Sequence, residues 1–151
     1  MTAHRAVSDA TLRIVRVFPA ARERVFDAFV DPDALRVWFC PPGFGFESIG
    51  RDPLTGRGTT FSMVETASGH RYVFDLDYTL VDRPREIRWT STWREGFPEA
   101  GRRTFATIGF RDVPGGTEVT LVQEGFADEQ VRDEHAQGWA GGLDKLEAYL
   151  A

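Results

Sequence analysis

The sequence predicts an α+β fold: a curved antiparallel sheet of about seven strands closing around one long C-terminal helix, with two short helices after the first strand. Three observations carry that expectation. In the last stretch, Asp128 to Ala151, Val131, His135, Trp139, Leu143, Leu146 and Leu150 recur at steps of four, four, four, three and four, one stripe of an α-helix. The hundred-odd residues before it read mostly as strands, with period two from Phe44 onward. A helix with an apolar stripe must bury it, and a sheet curling antiparallel around it buries all the stripes at once. The 151 residues read as one domain spanning 1–151, long enough for a sizeable core, with residues 1–10 as a loose N-terminal segment.

Taken in order, Thr11 to Phe18 is rich in β-formers and is the first strand, stopped by Pro19. Ala20 to Val30 carries Val25, Phe26 and Phe29 at helical spacing. Asp31-Pro32 breaks the chain and restarts it, Asp31 as a cap and Pro32 at the first helical position of a short helix through Leu35 and Trp38. Cys40-Pro41-Pro42-Gly43 ends that helix. Phe44 to Gly50 is a short strand, Asp52 to Gly56 a turn, and Gly58 to Thr66 a strand with Phe61 and Met63 on one face. After the hairpin signal Ser68-Gly69, Arg71 to Val81 alternates: Tyr72, Phe74, Leu76, Tyr78 and Leu80 face one way, and Arg71, Asp75, Asp77 and Thr79 the other. Arg83-Pro84-Arg85 turns the chain into a strand with Ile87, Trp89, Ser91 and Trp93 inward. Arg103 to Val113 and Thr117 to Gly125 pair across Pro114-Gly115-Gly116, with Val119 and Leu121 inward. Asp128 is the expected N-cap of the last helix, supported by Glu129, Asp133 and Glu134 near its positive start. Gly138, Gly141 and Gly142 are costly inside it, about 1 kcal/mol each relative to Ala. Gly138 and Gly142 flank the stripe, where a missing side chain admits another backbone or a ligand.

Composition excludes several function classes. A net charge of −5 argues against a nucleic-acid partner held by phosphate neutralisation. The single cysteine, Cys40, rules out an intramolecular disulfide and agrees with a reducing cytosol, so a cytoplasmic location is expected. No apolar run approaches the roughly 18 residues of a membrane span, and the N-terminus lacks a signal-peptide core. All basic residues but Lys145 are Arg, which reads as base-composition bias of a bacterial-type genome.

The presumed inner face of the sheet is aromatic. Phe61, Phe74, Tyr78, Trp89 and Trp93 are set to face the helix stripe that carries His135 and Trp139, with Trp38 at the end of the second short helix. Taken singly, each is most simply core. Taken together they bring polar tips that need partners when buried, and an aromatic cavity with a few polar groups is the usual form of a small-molecule site. The candidate ligand-binding set is therefore Trp38, Phe61, Phe74, Tyr78, Trp89, Trp93, His135 and Trp139. His135 lacks a recognisable third group to orient it as a base, and its most economical role is a hydrogen-bonded core histidine. His4, His70 and His135 show no metal-ligand spacing, so no metal and no cofactor is expected. Cys40 reads as an incidental small residue. Asp75 and Asp77 read as a solvated face, and Arg83, Arg85, Arg88, Arg102 and Arg103 as solubilising charges. Gly50 to Gly58 lacks the Gly-Lys-Ser/Thr ending of a phosphate loop.

From about Thr11 to Leu150 these residues resemble the SRPBCC, or START-like, superfamily, and within it the bacterial relatives of the C-terminal domain of the activator of heat-shock protein 90 ATPase. The resemblance is carried by the run from Pro19 to Phe26, by Asp31-Pro32 with Leu35 and Trp38, and by Asp52-Pro53 with Gly56 and Gly58. It continues through Gly69, the run from Arg83 to Ile87, Gly115-Gly116-Thr117, and His135 to Trp139 with Leu143 and Leu146. It implies the helix-grip fold, a seven-stranded antiparallel sheet gripping the long helix, and a cavity between them that in relatives holds hydrophobic molecules. The second helix departs from the pattern: two Trp and a Gly often end it, and here it reads Trp38-Phe39-Cys40, near the presumed cavity mouth. The family has no universal catalytic set, so no catalytic residue is carried over.

Three functions follow from these readings. First stands a protein binding a small hydrophobic or aromatic molecule. Second stands a chaperone-associated interaction domain of the stress response, as the family name suggests. Third stands a cyclase- or hydrolase-like enzyme using His135 or Glu65 in the cavity. The chain is expected as a monomer or homodimer.

Overall fold

The computed structural model describes residues 10–50 and 57–151; the turn expected from Asp52 to Gly56, residues 1–9 of the N-terminal segment expected to be loose, and His4 lie outside them, while Ala10 of that segment is buried in the core. The elements are β1 (Leu12–Phe18), α1 (Arg22–Asp27), α2 (Pro32–Trp38), β2 (Phe44–Ile49), β3 (Gly58–Glu65), β4 (Arg71–Asp82), β5 (Glu86–Trp93), β6 (Arg103–Val113), β7 (Gly116–Glu124) and α3 (Glu129–Leu150). The sheet runs β1-β7-β6-β5-β4-β3-β2 with every pair antiparallel. From β2 onward it is a plain meander. The two short helices carry the chain from one edge strand, β1, to the other, β2. The architecture is the expected α+β one.

Local chemistry accounts for the helix ends. Asp31 caps α2 by accepting from the Asp33 backbone N–H at 2.9 Å, with Pro32 at the first position. Asp128 caps α3 by accepting from the Val131 N–H at 2.9 Å. The first helix is shorter than the predicted Ala20–Val30, because its last turn tightens. Phe29 N–H bonds to Phe26 O (3.0 Å) and Val30 N–H to Asp27 O (3.1 Å), and Asp31 is extended ahead of the proline. The Ala28 and Phe29 carbonyls left over are taken by distant side chains: the Trp38 indole N–H donates to Ala28 O (2.8 Å) and the Tyr78 hydroxyl to Phe29 O (2.9 Å). The α1–α2 corner is thereby tied to β4.

Alternation in the strands matches the expected faces with one break. Ile87, Trp89, Ser91 and Trp93 are all buried, as are Val119 and Leu121. In β4 the register shifts between Tyr78 and Leu80, so Leu80 pairs with exposed Arg88 and shares its face. Leu80 is thus not on the inner face with Tyr78. A bulge adds one residue and flips everything beyond it. Asp75 also departs from expectation. Instead of a solvated face it is 9% exposed. Thr60 Oγ1 donates to one carboxylate oxygen and Arg94 Nε to the other, each at 2.7 Å, which makes a buried charge tolerable. Arg83, Arg85 and Arg88 pair with Asp27, Asp82 and Glu86.

Helix α3, 22 residues and about 33 Å long, crosses the inner face. Its stripe divides into two halves. Leu143, Leu146 and Leu150 are buried in the core, while Val131, His135 and Trp139 are only half-buried. The C-terminal half is covered by α2 and its following segment. Gly142 lets the Trp38 carbonyl approach, a Cβ there lying 3.2 Å from that oxygen, and Gly141 and Gly138 receive the Pro42 and Pro41 rings. Of the two expected occupants, backbone or ligand, backbone meets Gly142, while a proline ring meets Gly138; both glycines also line the cavity between helix and sheet. Lys145 Nζ donates to Cys40 O at 2.9 Å beside the same crossing, and Arg24 donates to the Leu150 carbonyl at the helix end.

Candidate functional site

Where α3 loses the cover of α2, a cavity of about 750 Å³ opens between helix and sheet. Its sheet wall comes from Met63 of β3, Tyr72, Phe74 and Leu76 of β4, Trp89, Ser91 and Trp93 of β5, and Gln123 of β7. Val131, His135, Gly138 and Trp139 form the helix wall; Phe39, Pro41 and Pro42 bound the cavity where the chain after α2 crosses α3, and Phe97 and Pro98 lie on the loop after β5. Period two in the strands and steps of four in the helix put these side chains on facing surfaces.

Six of the eight expected residues, Trp38, Phe74, Trp89, Trp93, His135 and Trp139, line this cavity. Phe61 and Tyr78 do not. Phe61 is fully buried behind Phe39, centroids 5.2 Å apart, and Tyr78 stacks on the far side of the array against Trp89 at 5.6 Å. Burial drives the Tyr78 phenol well above its ordinary pKa, so it stays a neutral donor to Phe29 O. Glu65, weighed as a cavity acid, instead accepts from Ser68 at the β3–β4 turn and is absent from the lining. Cys40 is 3% exposed, and burial pushes its thiol up to about 11 despite nearby Lys145. A thiol so held is not a nucleophile at neutral pH.

The aromatic rings form a connected set. Trp139 lies nearly parallel to Trp89 (6.3 Å, 19°), and the His135 ring lies parallel to Trp93 (5.1 Å, 5°) and tilted on Phe126 (4.9 Å). Burial lowers the His135 pKa below its ordinary value, opposed by its bond to Val131 and by Glu134. His135 Nδ1 sits 3.0 Å from the Val131 carbonyl, so in the neutral ring the proton is on Nδ1 and Nε2 remains an acceptor. Among the described residues the ring's hydrogen bond is to this backbone carbonyl and not to a carboxylate.

Three contributors lie outside the expected ligand-binding set, although the sequence places Phe39 near the cavity mouth. Phe39 touches Trp38, Phe61, Phe74, Trp89 and Trp139, ring centroids all within 6.3 Å, and joins the cavity lining. It follows the last turn of α2, where no periodicity marks a face. Phe97, on a loop, lies parallel to Trp93 at 5.0 Å. Gln123, 5% exposed, donates through Nε2 to Thr104 Oγ1 (2.9 Å) and accepts from the Trp139 indole N–H (2.7 Å). It had a legible signal: the inward alternation Val119, Leu121 continues onto it, placing an amide on an apolar face. No cluster of His, Cys, Asp or Glu fit for a metal occurs among the described residues.

Residues 19–151 match the family model described as "Activator of Hsp90 ATPase homolog 1-like protein". The fold is similar to a solved protein from Chromobacterium violaceum (28% identity, TM-score 0.82, covering 93% of this chain and 96% of that one). It is also similar to the AHSA1 protein from Silicibacter pomeroyi (24% identity, TM-score 0.77, 93% and 96% covered). A protein from Mycobacterium smegmatis shares the fold at 21% identity, with TM-score 0.79 and 96% and 93% covered. No curated protein matches the chain.

Proposed function

Since this chain belongs to the activator of Hsp90 ATPase homolog 1-like family, a branch of the START-like helix-grip proteins, we propose that it is a binding protein for a small aromatic or hydrophobic molecule. The observation that carries this is the cavity itself. At about 750 Å³ it falls within the ordinary ligand-site range of about 300–1,000 Å³. Its walls are mainly aromatic and apolar; among them stand the polar groups of Ser91, the Gln123 amide and His135 Nε2, with Tyr72, Gln137 and the carboxylates of Glu99, Asp128 and Glu134 also in the lining. An apolar ligand there is desolvated against Trp89, Trp93 and Trp139, and the polar groups fix its orientation. Catalysis is a weaker reading, because among the described residues the His135 ring is held by a backbone carbonyl and not by a carboxylate, and Cys40 is buried. The buried thiol of a lone cysteine suits a reducing compartment, and no helix among the described residues is long and apolar enough to cross a membrane.

The test is native mass spectrometry of gently purified protein together with titration of phenylnaphthylamine, a neutral apolar probe, against Trp fluorescence. A co-purifying mass, or saturable quenching at micromolar probe that Val131→Trp abolishes by filling the cavity, is the expected result. Absence of both defeats the binding reading. The chaperone-interaction reading then takes its place; it draws on the family description and on the half-exposed Val15 and Val17 of edge strand β1.

A further inference from the structure

Which apolar molecule enters is constrained by charge. Among the described residues lining the cavity, three are acidic, Glu99, Asp128 and Glu134, and none is Lys or Arg. Glu99 has a counter-charge in Arg102, whose Nε lies 3.7 Å from it and also donates to Gly125 O at 3.1 Å. The start of α3 adds about half a positive charge, which the full charge of Asp128, its cap, more than offsets. The remaining polar side chains, Tyr72, Ser91, Gln123 and Gln137, are neutral, burial holds the His135 pKa below its ordinary value, and Gln123 already bonds to Thr104 and Trp139. A carboxylate carried inside would lose its water, meet no cation and face three like charges. An ammonium meets the opposite: carboxylates at the rim and the faces of Tyr72, Phe74 and Phe97 along the wall.

We propose, building on the cavity reading above, that the site takes aromatic ligands bearing a protonated amine and discriminates against carboxylate-bearing molecules of the same shape. Calorimetric titration of the full chain at pH 7.5 and low salt with three naphthyl probes tests this: naphthylmethylammonium, naphthylmethanol and naphthylacetate. The ammonium is expected to bind at least about tenfold tighter than the acetate, with the alcohol between. The gap is expected to narrow in Glu99→Gln/Glu134→Gln, since both side chains are exposed and the fold does not rest on them. It is also expected to narrow in raised salt. If the acetate equals or exceeds the ammonium while the alcohol binds, charge selection is overturned and the cavity reading stands. A gap unchanged in the double variant overturns the assignment to these carboxylates. If none of the three binds, the cavity reading fails and takes this inference with it.

Discussion

A single methyl group added at Gly141 separates secondary-structure propensity from tertiary packing. Judged on the helix alone, Gly141→Ala and Gly138→Ala are equivalent: each replaces a mid-helix glycine and gains about 1 kcal/mol. The structure separates them. A Cβ at Gly138 meets Pro41 Cγ at 3.4 Å, ordinary contact, so the gain is kept. A Cβ at Gly141 would overlap both Cδ and Cγ of Pro42, and a proline ring has no rotamer through which to retreat. Over-packing of this kind costs about 1–3 kcal/mol. Because the propensity gain is common to both variants, the difference between them isolates the overlap and should fall in that same range. At about 2–4 °C per kcal/mol for a domain of this size, Gly141→Ala melts several degrees below Gly138→Ala. Urea unfolding of both variants provides the free energies. Pro42→Ala in the Gly141→Ala background should recover most of the loss, giving a favourable coupling in the double-mutant cycle. Equal stability of the two alanine variants, or no coupling to Pro42, refutes the argument that the diproline crossing dictates these glycines.

Two further perturbations bear on the site. His135 has a depressed pKa in the folded state, so the unfolded chain binds the proton more readily. Its contribution is then fully present above the unfolded value near 6.5 and is lost as pH falls through the folded value. Urea unfolding from pH 8 to 5 should show wild type losing more stability than His135→Gln; parallel curves would contradict the assigned shift. Gln123→Leu leaves the Trp139 indole N–H and the Thr104 hydroxyl without their partner, at a cost of about 1–3 kcal/mol, toward the lower end if cavity water replaces the amide. A Leu variant as stable as wild type in equilibrium unfolding would show that the bridge is not needed.

The division between what was legible and what was not follows the range of the interactions. Periodicity and capping are local, so β1, the six-strand meander, the Asp31 and Asp128 caps and the α3 stripe could be read from residues a few positions apart. The same locality put Trp89, Trp93, His135 and Trp139 on facing surfaces, and the structure brings them to one cavity. Sequence spacing says nothing about how far along α3 the cover of α2 extends, and that extent splits one continuous stripe into a buried half and a cavity wall. Phe39 joins the wall because the chain beyond α2 crosses α3 through Pro41 and Pro42, contacts about a hundred residues apart. Asp75 is buried because Thr60 and Arg94 arrive from neighbouring segments with the right donors. The bulge at Tyr78–Leu80 reverses Leu80 although its alternation predicts the opposite face. By itself the sequence determined the elements, their order and the aromatic character of the inner face, because each rests on local backbone preference and side-chain period. Only the tertiary structure decided which aromatics are packed and which face open space, because burial depends on what long-range packing places opposite each side chain.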